Sequence, residues 1–76
     1  MVRAVVLVKA QMGQATNVAA ALRKIKGVSD AYAVTGPYDA VAIAEAKDVG
    51  ELGRFVVSKV QRARGVQDTL TCLVVG

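Results

Sequence analysis

Apolar residues along the chain alternate between strand-like and helix-like spacing. Val2–Val8 is apolar in both of its alternating sets, which is typical of a strand covered on both faces, and we expect a central strand there. After polar residues 11–14, apolar side chains recur at helical spacing up to Gly27. This spacing predicts a helix over about residues 14–26, with basic residues in its last turn and Gly27 at its C′ position.

Two further strands are predicted on either side of a Gly-Pro corner. Val28–Thr35 and Ala40–Ala46 have strand-like patterns, and the second has bulky side chains in one alternating set and alanines in the other. Pro37 suits the second position of a type I turn. Because such a turn splays a two-residue hairpin, we expect a loop of about four residues.

The last third of the chain repeats the helix-then-strand order. Asp48 with Glu51 three positions later predicts a helix start, and Gly65 marks its end. The run Val66–Val75 is again apolar in both sets, so we expect it to be the second central strand.

The resulting order is β-α-β-β-α-β, and an internal repeat supports it. The segment Lys26–Asp30 recurs as Arg64–Asp68, each time where a helix ends and a strand begins. This order predicts an α+β, ferredoxin-like sandwich: a four-stranded antiparallel sheet with both helices on one face. The other face would be bare and apolar, and we expect a second copy to cover it, sheet against sheet.

Size and composition favour the same self-association. The chain has 76 residues, of which 54% are hydrophobic, with one cysteine and no histidine. We expect one domain over residues 1–76, too small to be very stable alone. Neither an internal disulfide nor a one-chain zinc site can supplement that core, so an oligomer is the remaining route.

Charge and hydropathy argue against a membrane or nucleic-acid role. No apolar run reaches the length of a membrane span, and no signal-peptide pattern opens the chain, so we expect a cytoplasmic protein. The formal charge is +4, but the basic residues are spread along the chain. The predicted central strands lack aromatic stacking residues, and we expect no direct DNA binding.

The sequence offers little catalytic chemistry. There is no histidine, and the six acidic residues are isolated from one another, so we expect no enzyme activity and no cofactor. Cys72 lies in an apolar run without an activating base, and we interpret it as an inert core thiol.

Asp39 is the exception that we single out. No Lys, Arg or His lies within six positions of it on either side, although it sits at the mouth of the predicted hairpin. Its partner can be backbone, another chain or a ligand. The simplest alternative is that Asp39 binds the N–H groups of its own hairpin.

The corner sequence Tyr32–Asp39, together with Gly65-Val66 and the segment Thr69-Leu70-Thr71, resembles the effector domain of the Lrp/AsnC family of feast/famine regulators. The resemblance covers essentially the whole chain, without the helix-turn-helix of full-length members. It implies a stand-alone domain that dimerises through its sheets and assembles into a ring such as an octamer or decamer.

The resemblance also implies a binding site for a small amino-acid effector where dimers meet. Carried over to this chain, the ligand-binding residues are Thr35, Gly36, Pro37, Tyr38, Asp39, Thr69 and Thr71. Asp39 would pair with the effector's ammonium group.

Three functions follow as hypotheses. The first is an amino-acid-sensing and oligomerisation module related to transcriptional regulators. The second is a structural partner that co-assembles with full-length Lrp/AsnC regulators and binds no ligand. The third is a small dimeric ferredoxin-like enzyme, against which the missing histidine argues.

Overall fold

The computed structural model describes residues 1–76, which form one antiparallel sheet and two helical segments. The four strands lie in the order β2-β3-β1-β4, and every neighbouring pair is antiparallel. The predicted ferredoxin-like fold is confirmed. The elements are β1 (Val2–Ala10), α1 (Ala15–Arg23), β2 (Val28–Ala33), β3 (Ala40–Ala46), α2 (Val49–Phe55, continued by a π-helical turn Val56–Val60) and β4 (Val66–Leu73).

The position of the last strand corrects the prediction. The central strands are β1 and β3, whereas β4 lies at the edge of the sheet and pairs with β1 alone. Its apolar residues alternate onto two faces, and neither face is covered by a helix. The sequence of β4 therefore has the pattern of a central strand, although β4 is an edge strand.

The helix ends agree with the prediction in part. Asp48 caps α2, because its Oδ1 accepts a hydrogen bond from the backbone N–H of Glu51 at 2.8 Å. The Glu51 carboxylate accepts from the N–H of Lys47, one residue before the cap, at 3.0 Å. Helix α1 ends at Arg23, earlier than predicted, so Gly27 is not its C′ residue. Gly27 instead turns the chain into β2 with φ +104°.

One face of the sheet is covered by both helices. All four alanines of β3 point to this face and are buried, and their small size lets α1 and α2 pack closely on the sheet. Leu22 of α1 and Val60 after α2 are fully buried there. The core is aliphatic and contains no buried polar or charged residue.

The opposite face, which we call the open face, has no protein over it. It carries the larger side chains of β1 and β3, with Leu70 and Cys72 of β4 and Tyr32 of β2 beside them. A salt bridge between Arg3 and Glu45, 3.4 Å from Nε to Oε2, lies at one end. The open-face residues are Arg3, Val5, Leu7, Lys9, Asp30, Tyr32, Val41, Ile43, Glu45, Asp68, Leu70 and Cys72.

Cys72 is exposed on this face, opposite Val5, and the expectation of a core thiol is wrong for the single chain. The apolar run that contains it belongs to the edge strand.

Neither helix has the length and apolar character needed to cross a bilayer.

Candidate functional site

The Gly-Pro corner closes the β2–β3 hairpin at one end of the sheet. Val34 donates its N–H to the carbonyl of Asp39 at 2.9 Å, and this bond closes a loop of residues 35–38. The predicted loop length is confirmed. Gly36 has φ +133°, a conformation that favours glycine, so the corner depends on this residue.

Asp39 joins this corner to the end of β1. Its N–H donates to the carbonyl of Val8 at 2.9 Å, and its Oδ2 accepts from the N–H of Ala10 at 2.8 Å. The Asp39 carboxylate therefore binds a backbone N–H group. That group belongs to β1, 29 positions away, and not to the hairpin that contains Asp39.

The end of the β1–β3 ladder explains why the Ala10 N–H is available. The pairing of β1 with β3 stops at Val8 and Ala40, so Ala10 lies beyond the last residue pair. The N–H groups of alternate residues in a strand point to the same side, so the Ala10 N–H, like the Val8 carbonyl, faces the β3 side and not β4. The half-buried Asp39 carboxylate satisfies the free donor with one oxygen, and its Oδ1 accepts no hydrogen bond from the chain.

Thr69 and Thr71 lie on the other side of β1. They face Val8 and Val6 from β4, on the helix side of the sheet but beyond the cover of the helices. The Thr69 hydroxyl accepts from the side-chain amide of Gln61 at 3.0 Å. Because the Asp39 N–H binds the Val8 carbonyl from the opposite side, Asp39 and Thr69 stand two strand spacings apart, about 10 Å.

The structure thus brings the predicted residues to one region without forming a closed pocket. Thr35, Gly36 and Pro37 are exposed and Tyr38 is half-buried. The corner and Thr69 share one end of the sheet, Thr71 lies two residues further along β4, and β1 separates the two groups. None of the seven residues lines either of the two main clefts.

Those two clefts were not foreseen in the sequence. A polar cleft of about 540 Å³ lies between the β1–α1 loop and Arg64. A larger one of about 880 Å³ lies at the other end of the sheet, between the start of β2, the end of β3 and α2. No sequence motif marks either cleft, because each is assembled from segments far apart in the chain. No group of three or more Cys, Asp or Glu side chains is placed to hold a metal ion.

Two curated proteins share similar sequences over part of their length. A homocitrate synthase of Saccharolobus islandicus is 37% identical over 59 residues, which are 78% of this chain and 13% of that enzyme. An HTH-type transcriptional regulator of Pyrococcus abyssi is 35% identical over 55 residues, 72% of this chain and 37% of the regulator. The chain thus spans well under half the length of these relatives.

Solved structures match the fold along its full length. TTHA0845 from Thermus thermophilus is 34% identical with a TM-score of 0.90, and the match covers 100% of this chain and 95% of that one. The transcriptional regulator NMB0573 of Neisseria meningitidis, solved as a complex with L-Met, is 27% identical with a TM-score of 0.85. That match covers 99% of this chain and 50% of the regulator.

Residues 3–76 match the Lrp/AsnC ligand binding domain family. This match includes all four strands, both helices and the whole Gly36–Asp39 corner. The chain belongs to the Lrp/AsnC ligand-binding domain family.

Proposed function

We propose that residues 1–76 form a single non-catalytic domain that senses a small amino acid and assembles with copies of itself. The observation that carries the proposal is the Asp39 carboxylate, which is fixed through Oδ2 to the end of β1 and keeps Oδ1 free. A carboxylate held in this way is suited to bind an ammonium group with a charge-assisted hydrogen bond.

The relatives support a sensing role. The shared segment is 13% of a homocitrate synthase in one relative and 37% of an HTH-type transcriptional regulator in the other. A synthase and a transcriptional regulator do not share a catalytic activity. The segment that they share with this chain is therefore better explained by a regulatory role. The bound L-Met in the NMB0573 structure makes amino acids the first ligand class to test.

The surface of the chain supports self-assembly. The open face joins aliphatic residues of β1, β3 and β4 into a continuous apolar surface, and a second copy placed sheet against sheet would cover it. Half-buried Thr69 and exposed Thr71 lie outside that face, where we place the contacts between dimers. Such contacts would place the Asp39 corner near a neighbouring copy and extend the dimer into a ring such as an octamer or decamer. We propose full-length Lrp/AsnC regulators as a second class of partner, in mixed assemblies.

Calorimetry with amino acids tests the sensing role. The twenty amino acids are first screened by thermal shift, beginning with L-methionine, and the affinity of the best ligand is then measured for the wild type and for Asp39→Asn. The asparagine carbonyl can still accept from the Ala10 N–H, so the variant removes the charge and keeps the anchor. We expect affinity to fall about ten- to a hundredfold.

Asp48→Asn is the matched control. Asp48→Asn removes the same charge from a side chain that also accepts a hydrogen bond from a backbone N–H. Asp48 lies near the end of β3 that is remote from the corner, and asparagine is an equally good N-cap. Its affinity should equal that of the wild type. Equal affinities for Asp39→Asn and the wild type would remove Asp39 from the site, and no binding of any amino acid would contradict the sensing role.

A further inference from the structure

The larger cleft lies far from the Asp39 corner. Asp39 precedes the first residue of β3, whereas the cleft includes the last two, Glu45 and Ala46, about 20 Å further along the strand. Its volume of about 880 Å³ is within the range of small-molecule sites. It is therefore a separate feature from the proposed amino-acid site.

Two irregularities of secondary structure shape this cleft. Ser29 is an extra residue in β2, because Val28 faces Ala44 while Asp30 faces Ile43. On the opposite wall, α2 changes after Phe55 into a π-helical turn, in which the N–H of Gln61 donates to the carbonyl of Val56 at 2.8 Å. Bulges and π-turns are frequent beside functional sites, and here both border one cleft.

The floor of the cleft is apolar. Phe55 and Val28 are half-buried and Ala46 is buried, and all three line the cleft. The Phe55 ring lies against Gly27, where an added Cβ would meet ring atom Cε2 at 2.8 Å. The absence of a side chain at Gly27 lets the ring occupy this position.

The rim of the cleft is cationic. Lys26, Lys47 and Lys59 line it, and no carboxylate forms a salt bridge with any of their ammonium groups. Of the two acidic residues in the lining, Glu45 pairs with Arg3, whereas the Glu51 carboxylate accepts from the N–H of Lys47 and keeps its charge. Three lysines against this one carboxylate leave the cleft with a net positive charge.

From this arrangement we infer a second binding site, for a small organic anion that has an apolar body. The body would lie on Phe55, Val28 and Ala46, and the anionic group would contact the three lysines at the rim. Neither an inorganic anion nor a neutral apolar molecule would use both halves of the cleft. The inference does not depend on the amino-acid site.

The test compares three probes by saturation-transfer difference NMR. The probe 4-phenylbutyrate carries both features, 4-phenyl-1-butanol lacks the charge, and acetate lacks the apolar body. We expect 4-phenylbutyrate to bind with saturation and more tightly than either of the others. Equal affinity for the acid and the alcohol would overturn the inference, as would no saturable binding of the acid at millimolar concentration.

Variants then locate the binding. Lys26→Gln combined with Lys59→Gln should weaken 4-phenylbutyrate about three- to tenfold, because two exposed charge contacts are lost. Lys24→Gln combined with Arg62→Gln removes the same charge from exposed residues outside the cleft and should have no effect. Equal losses in the two double variants would show a general charge effect and contradict the site.

Ser29→Trp and Asp39→Asn complete the design. Ser29 is exposed and lines the cleft, so a tryptophan there should fill the space and abolish probe binding, while unchanged thermal melting shows that the fold persists. Asp39→Asn should bind the probe as the wild type does. Loss of probe binding in Asp39→Asn would place the probe at the corner and not in the cleft.

Discussion

The two faces of the sheet differ in side-chain size. On β3, the small side chains lie under the helices and the large ones lie on the open face. On β3, the covered face has alanines that are all buried, and the open face has the larger Val41 and Ile43, which are half-buried. Small residues let the helices approach the strand closely, whereas large aliphatic residues on the open face offer apolar area to another molecule. The comparison teaches that the covered face serves folding of one chain, whereas the open face keeps apolar area for the self-association that we propose.

The largest expected effect comes from the covered face. Leu22→Ala should lower the free energy of unfolding by about 2–5 kcal/mol, because this fully buried side chain leaves a cavity in the core. Urea denaturation measures the loss. Leu70→Ala is the control on the open face, where the same atoms are removed from a side chain that is 47% exposed.

We expect Leu70→Ala to cost less than about 1 kcal/mol in dilute protein and more as the protein concentration rises. If the two variants lowered the free energy of unfolding equally at low protein concentration, the two faces would not differ in their contribution to folding.

A charge in the centre of the open face should affect association more than folding. Ile43 faces Val5 of β1 in the register, and Ile43→Lys would place one lysine from each copy in a sheet-to-sheet interface. Self-association should weaken about a hundredfold or more, and light scattering should show a mass that falls towards the 7.9 kDa of one chain. Thr16→Lys on the exposed side of α1 is the control, and an unchanged mass in Ile43→Lys would show that the open face is not the interface.

The smallest effect concerns the margin of the open face. Tyr32 donates a hydrogen bond to Asp30 from its hydroxyl, and this bond, followed by desolvation and the Asp30 charge, raises the pKa of Tyr32 above its ordinary value of 10.0. The nearby Arg23 charge opposes the shift. A raised pKa means that the contribution of this bond to stability is complete below pH 10.0 and is lost as pH rises through the raised pKa.

Asp30→Asn should lower the pKa of Tyr32 towards its ordinary value. Absorbance at alkaline pH measures the titration, in a Tyr38→Phe background that leaves one tyrosine. A titration unchanged by Asp30→Asn would show that Asp30 does not hold the tyrosine proton.

Local patterns in the sequence were sufficient for most of the fold. The bounds of β3 and the cap at Asp48 are as predicted, because alternation and capping depend on residues close in the chain. The place of β4 was not predictable in the same way. Strand order depends on long-range pairing, and an edge strand whose two faces are open to other molecules has the same apolar pattern as a buried strand.

The candidate site shows the same limit. The Gly36-Pro37 corner could be located from turn chemistry, and the family resemblance supplied the ligand hypothesis. The bond from Ala10 to Asp39 could not be foreseen, because it depends on where the long-range pairing of β1 with β3 ends. The cationic cleft was missed for a similar reason, since its bulge and π-helical turn have no sequence motif.

The exposed position of β4 has a consequence for the order in which the protein opens. This strand is held by β1 alone and has no helix over either face, so fewer contacts must break to release it than to release β3. Its amide hydrogens should therefore exchange with solvent through local opening, before those of the central strands. A neighbouring copy docked on the open face would slow that exchange, and the protection of β4 would then report how many copies are assembled.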